Sequence, residues 1–136
     1  MTKIHTHTFT RAERLKSRKV IEQLFKQGQS FAQYPLRLVW TVMEERQSDF
    51  PAQFALTVPK KKFKKAVQRN RIRRLMREAY RLNKSSLYNA LQEAEKQVAL
   101  LVIYTGQETM TFAEIEAAMQ QMLRRFVKKW RQSNQS

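Results

Sequence analysis

Val58-Pro59-Lys60-Lys61-Lys62-Phe63-Lys64-Lys65-Ala66-Val67-Gln68-Arg69-Asn70-Arg71-Ile72-Arg73-Arg74-Leu75-Met76-Arg77-Glu78-Ala79-Tyr80-Arg81-Leu82-Asn83-Lys84 is the stretch around which the chain is organised. Lys60 to Arg77 carries ten basic side chains and no acidic one. Up to Lys84, twelve basic residues against Glu78 alone give +11 of the chain's net +16. From about Arg69, the residues Ile72, Leu75, Met76 and Ala79 fall at i, i+3, i+4 and i+7, the spacing of one buried helical stripe. At about 100° per residue, Asn70, Arg73, Arg74, Arg77 and Arg81 project from the opposite side, with Arg71 beside that face and near Glu78. Guanidinium forks suit phosphate oxygens better than ammonium groups do. Like charges crowded on one face repel unless an anion neutralises them. The row therefore predicts a polyanionic partner.

The flanking sequence supplies a fold to carry that helix. Ser17 is placed to cap a first helix with Val20, Ile21, Leu24 and Phe25 on its apolar side, and Gly28 is placed to end it. Thr10-Arg11-Ala12-Glu13 has capping-box spacing ahead of it. Leu36, Leu38, Trp40 and Val42 alternate with Arg37, Val39, Thr41 and Met43 as a strand does, and Glu44 to Pro51 reads as a loop between antiparallel strands. Phe54, Leu56 and Val58 then face one side of a second strand, with the small Ala55 and Thr57 on the other. After the basic helix, Leu87, Ala90, Leu91 and Ala94 continue at helical spacing, a short segment expected to cover the sheet. Val98 to Tyr104 is an apolar run of strand length, consistent with burial on both faces. Thr111-Phe112-Ala113-Glu114 is a stronger capping box. It opens a helix with Phe112, Ile115, Met119, Met122, Leu123, Phe126 and Trp130 on one face, read as core, and a basic tail of Arg124, Arg125, Lys128, Lys129 and Arg131.

Arg69-Asn70-Arg71, followed by Arg73-Arg74 and Arg77-Glu78, resembles the signature of the bacterial ribonuclease P protein component. Arg14-Leu15-Lys16 through Phe25-Lys26-Gln27-Gly28 resembles the start of the same family. The turn departs from the pattern: Pro59 stands where a serine is usual, the usual glycine is missing, and one residue is added. Residue patterning gives an α+β chain. The resemblance implies a small four-stranded sheet packed with helices in α-β-β-β-α-β-α order. It further implies a two-layer sandwich like the ribosomal protein S5 domain 2-like fold, with a left-handed βαβ crossover. Residues 10-132 form the expected domain, between a flexible arm, 1-9, and a disordered tail, 133-136.

The resemblance also implies the roles of particular residues. Arg69, Asn70, Arg71, Arg73, Arg74, Arg77 and Arg81 would hold the catalytic RNA, and Lys60, Lys61, Lys62, Lys64 and Lys65 would extend that surface. A cleft between the first helix and the sheet would take the 5′ leader of precursor tRNA, at positions matching Phe9, Phe25, Arg37 and Val39. The residues alone leave open whether Phe25 is core or exposed. Magnesium would act through the RNA subunit and the RNA–protein interface, none being bound by the protein alone. The implied partners are ribonuclease P RNA and precursor tRNA, one protein per RNA, in the cytoplasm.

Composition excludes other classes of chemistry. There is no cysteine, a single aspartate at Asp49, and both histidines, His5 and His7, lie in the N-terminal arm. Clustered carboxylates for two-metal hydrolysis are therefore not evident, nor a nucleophile with a base beside it. No run approaches the roughly 20 apolar residues of a membrane span. A DNA-binding or membrane-surface reading fares poorly, because no helix-turn-helix spacing appears and the basic helix commits its apolar stripe to a core. Another structured-RNA binder, such as a ribosomal or assembly protein, remains the alternative that the basic face alone permits.

Overall fold

The computed structural model describes residues 9–92 and 96–133. The N-terminal arm up to residue 8, with His5 and His7, Ala94, and residues 134–136 of the expected tail lie outside the described residues. A 3₁₀ turn, Arg11–Glu13, precedes α1 (Arg18–Gln27), β1 (Gln29–Gln33), β2 (Leu36–Val42), β3 (Ala52–Thr57), α2 (Ala66–Asn83), α3 (Ser85–Leu91), β4 (Val98–Tyr104) and α4 (Phe112–Ser133). The last helix ends at Ser133.

The sheet order is β1-β2-β4-β3. β4 pairs antiparallel with β2 and parallel with β3, so β2 and β3 run in opposite directions without pairing. The loop after β2 is therefore not a hairpin: β4 is threaded between the strands that it joins. The buried amide of Gln97 ties this loop down, donating to the Ser48 hydroxyl and the Phe50 carbonyl and accepting from the Gln47 N–H at 2.8 Å. The fourth strand implied by the resemblance is β1, whose sequence Gln-Ser-Phe-Ala-Gln buries only Phe31.

The two sheet faces follow from register. Phe31, Leu38, Val102 and Leu56 align across the strands and face α2, α3 and α4 in the main core. In the neighbouring row, Val39, Leu101 and Ala55 face the other way, onto Leu15, Val20 and Leu24. The expected sandwich of sheet and helices is present in α2, α3 and α4, and α1 adds a partial third layer on the opposite face. β4 is interior and buried throughout except for a partly exposed Ile103, as its unbroken apolar run requires.

Local chemistry sets the element ends. Ser17 accepts the Val20 N–H at 3.3 Å, and Thr111 and Glu114 exchange both capping-box bonds at 3.1 and 3.2 Å. Gly28 ends α1 with a negative φ of -64°, so handedness is not why it is glycine. A Cβ there would stand 2.4 Å from the Leu24 carbonyl oxygen and 2.7 Å from the Val39 side chain. Space is the reason.

Candidate nucleic-acid interface

In α2 the stripe forms as its spacing requires: Ile72, Met76 and Ala79 are fully buried, joined by Tyr80, and Leu75 packs at the margin. Asn70, Arg71, Arg74 and Arg77 are exposed along the opposite side, and Arg73 is half-buried, donating to the Asn70 side-chain oxygen at 3.3 Å. Lys60, Lys61, Lys62, Lys64 and Lys65 are all exposed just before the helix. The expected basic surface is thus continuous from the turn onto the helix.

Three more of its members are engaged within the protein. Arg81 is half-buried and its Nε donates to Glu78 at 3.0 Å. That hydrogen bond holds the Glu78 carboxyl below its ordinary pKa, outweighing the desolvation that opposes it. Lys62 reaches the Thr105 carbonyl at 3.1 Å. Arg69 turns away from the outward row, and its Nη1 donates to the carbonyls of Phe63 and Lys64 at 2.8 and 2.9 Å.

The glycine-free turn closes without a residue at positive φ. Phe63 is its anchor: 4% exposed, it sits edge-on against Tyr104 at 5.7 Å between ring centres. Its N–H returns to the Pro59 carbonyl at 3.2 Å. An apolar plug replaces the conformational freedom of a glycine.

A second set of cations comes from the chain before α1. Leu15 donates its N–H to the Phe54 carbonyl at 3.0 Å, laying this segment along the free edge of β3. Arg14 and Lys16 then join Arg73 and Arg77 around a cavity of about 340 Å³ floored by Phe54 and Leu56. Sequence reading did not pick out Arg14 and Lys16 as site residues; their flanking of the apolar Leu15 is the signal that was available.

The same segment is anchored by a buried ion pair. Glu13 and Lys84 are fully buried and paired, so Lys84, counted above with the basic stretch, adds nothing to its surface. The second Glu13 oxygen accepts the Thr10 N–H at 3.2 Å, completing the capping box. Tyr88 donates to Glu13 at 2.7 Å, and the Tyr80 and Tyr88 hydroxyls lie 3.2 Å apart. Burial raises the pKa of both phenols far above the ordinary range, so they remain protonated donors.

The four expected leader-cleft residues do not come together. Phe25 is 67% exposed on α1, which decides against a core role. Arg37 is exposed on the same sheet face and donates to Ser30 at 3.2 Å. Beside it, Ile103 and Thr57 continue its row half-covered, an open strip next to α1. Val39, by contrast, is closed beneath α1 in the smaller core and offers no contact surface. Phe9 lies elsewhere, packed edge-on against Phe54 and Tyr80 at 5.8 and 5.7 Å. The stacked rings of Phe54 and Tyr80 give that aromatic more contact than an exposed cleft would.

Among the described residues, no three histidine, cysteine or carboxylate side chains are grouped to hold a metal ion, and no helix is long and apolar enough to cross a membrane.

Residues 9–127 match the sequence model of a family described as Ribonuclease P. The ribonuclease P protein component of Porphyromonas gingivalis strain ATCC 33277 is 38% identical, over 90% of this chain and 89% of that protein. That of Chlorobaculum tepidum is 36% identical over 73% of this chain and 68% of its own length. The Staphylococcus aureus RNase P protein superposes with a TM-score of 0.65 at 23% identity, over 82% of this chain and 93% of that one. The Thermotoga maritima RNase P protein gives 0.63 at 23% identity, over 83% and 96%. These two structures bear on the fold alone.

Proposed function

The chain belongs to the ribonuclease P protein family, and from that premise we propose how its surfaces serve the ribonucleoprotein endoribonuclease of which such proteins are a component. The basic surface from Lys60 to Arg77 binds the phosphate backbone of the RNA subunit. Its exposed arginine row, interrupted by no carboxylate before Glu78, carries this reading. Each phosphate neutralised releases a condensed counterion, so affinity comes largely from charge and falls with salt.

Hydrolysis belongs to the RNA. Among the described residues no three metal-ligating side chains are grouped, whereas a magnesium cage needs carboxylates gathered around one point; in this reading the ions are held by the RNA and at its interface with the protein. The protein assists by lowering the charge density that magnesium would otherwise have to screen. It acts as one copy per RNA, in the cytoplasm, on precursor tRNA. Reconstitution tests this directly. Added to a bacterial ribonuclease P RNA, the protein should lower the magnesium midpoint for cleavage of a precursor tRNA by roughly threefold or more. An unchanged midpoint with folded protein would defeat the reading.

The 5′ leader lies along the open strip beside α1, with Phe25 stacking on a base. One base–aromatic stack is worth about 1–3 kcal/mol, so Phe25→Ala should weaken precursor binding about fivefold or more. Leaderless tRNA should bind as before, and stability should change by less than about 0.5 kcal/mol because the side chain is exposed. Titration of both substrates against the reconstituted complex separates these outcomes; an equal loss on leaderless tRNA would exclude the stack.

A further inference from the structure

Arg69 opens the Arg69-Asn70-Arg71 signature, yet its geometry differs from that of its neighbours on α2. Two carbonyls of the preceding turn, those of Phe63 and Lys64, both accept from Nη1, at 2.8 and 2.9 Å. Its Nε is buried with no partner. Arg71, Arg74 and Arg77 are exposed, whereas Arg69 is half-covered. We propose that Arg69 is a positioning residue: it holds the Pro59–Lys65 turn in one shape, and it contributes to RNA binding through the turn lysines rather than by a phosphate contact of its own. This inference rests on the RNA-binding reading above.

The turn needs such a brace. Five lysines occupy the six positions 60 to 65 around Phe63, and their mutual repulsion favours open conformations. Neither a glycine nor a positive-φ residue locks the backbone locally. Lys65, the residue that caps α2, makes no side-chain capping bond. What remains is the Phe63 plug with its N–H on the Pro59 carbonyl, the Lys62 contact with Thr105, and the guanidinium reaching back from the first turn of α2. Arginine suits that task because its planar fork presents donors in fixed directions on one rigid group. A lysine placed there would keep the charge and lose the bracket. Holding the lysines in place before RNA arrives removes an ordering cost from binding, so the brace acts on affinity without touching the ligand.

A double-mutant cycle decides between a brace and a contact. The arms are the unmutated protein, Arg69→Ala, a variant with Lys60, Lys61, Lys64 and Lys65 all changed to Gln, and the combination. Each is titrated against a transcript of a bacterial ribonuclease P RNA at fixed salt. Arg69→Ala should weaken binding about tenfold in the native turn, the equivalent of one charge-assisted hydrogen bond. In the neutralised turn it should change binding less than about twofold, because the only lysine left there is Lys62, which Thr105 already holds. Arg69→Lys should lose nearly as much as Arg69→Ala despite keeping its charge. Amide hydrogen exchange at residues 60–65 should quicken in both single variants. Equal losses in the two backgrounds, or full rescue by lysine, would overturn the proposal in favour of a direct phosphate contact. Failure of the unmutated protein to bind the transcript would instead sink the RNA-binding reading, and unchanged exchange in the turn would then refute the brace on its own.

Discussion

Glu13→Ala should cost the folded protein about 3–5 kcal/mol, the loss expected when one partner of a buried ion pair is removed and the other charge is left in place. Lys84 is fully buried, and its ammonium group lies 5.1 Å from the Tyr88 ring centre and 5.8 Å from that of Phe9. Those rings soften the loss of hydration but do not replace a carboxylate. The substitution also strips the Thr10 cap of its partner and leaves the Tyr88 hydroxyl without its acceptor. A drop of roughly 10–15 °C in Tm follows for a domain of this size.

The pH dependence carries a sign. Desolvation already lowers the pKa of Lys84 in the native protein, with Glu13 pulling it back. Without Glu13 the folded pKa falls further below the unfolded one. In the window between them the unfolded chain binds more protons, so stability rises with pH. The deficit of the variant should therefore be full below the lowered Lys84 pKa of the folded variant and shrink as pH climbs from there towards the ordinary lysine range. Adding Lys84→Met should restore most of the loss, since an apolar replacement of a buried pair is often close to neutral. Denaturant unfolding of the unmutated protein and the two variants across pH measures all of this. A single-variant loss under about 1 kcal/mol would show that water reaches the pair.

That ion pair was not legible in the sequence, and the reason is physical. Glu13 reads correctly as the acceptor of a capping box, yet only one of its oxygens is used there; spacing cannot reveal what the second one meets 71 residues away. Lys84 ends a run of surface cations, and only the junction of α2 with α3 turns it inward. By contrast, the Ile72, Met76 and Ala79 stripe, the β4 run and the α4 capping box were readable, because each is a local pattern with one geometric solution. β1 was readable only through the family resemblance: as an edge strand with one buried residue it carries no alternation. The same limit applies at the site. Helical periodicity placed Arg71, Arg74 and Arg77 outward, but it could not foresee that Arg69 folds back over the turn. Nor could it foresee that Phe9 leaves the leader-cleft set for the Phe54–Tyr80 stack.

Replacing Arg71, Arg74 and Arg77 together by alanine should weaken binding of a ribonuclease P RNA about a hundredfold or more at moderate salt, while the fold persists. All three are exposed, so each truncation should stay within about 0.5 kcal/mol of neutral. Removing three like charges from one face also relieves repulsion, which opposes any small loss. On the RNA side each guanidinium is worth the net of a charge-assisted hydrogen bond, roughly 1.5 kcal/mol or less once solvent exposure is allowed for. The more diagnostic quantity is the salt dependence. Each phosphate contact contributes about 0.9 to the slope of log K against log salt on a duplex and about 0.7 on a single strand, so the triple variant should flatten the slope by about 2–3. Arg81→Ala provides the internal control, because its guanidinium is committed to Glu78. It should leave the slope nearly unchanged, since that guanidinium neutralises Glu78 rather than a phosphate. A triple variant with weakened affinity but an undiminished slope would mean that the lost energy was not phosphate neutralisation, and the outward arginine row would lose its role as the anchor on the RNA backbone.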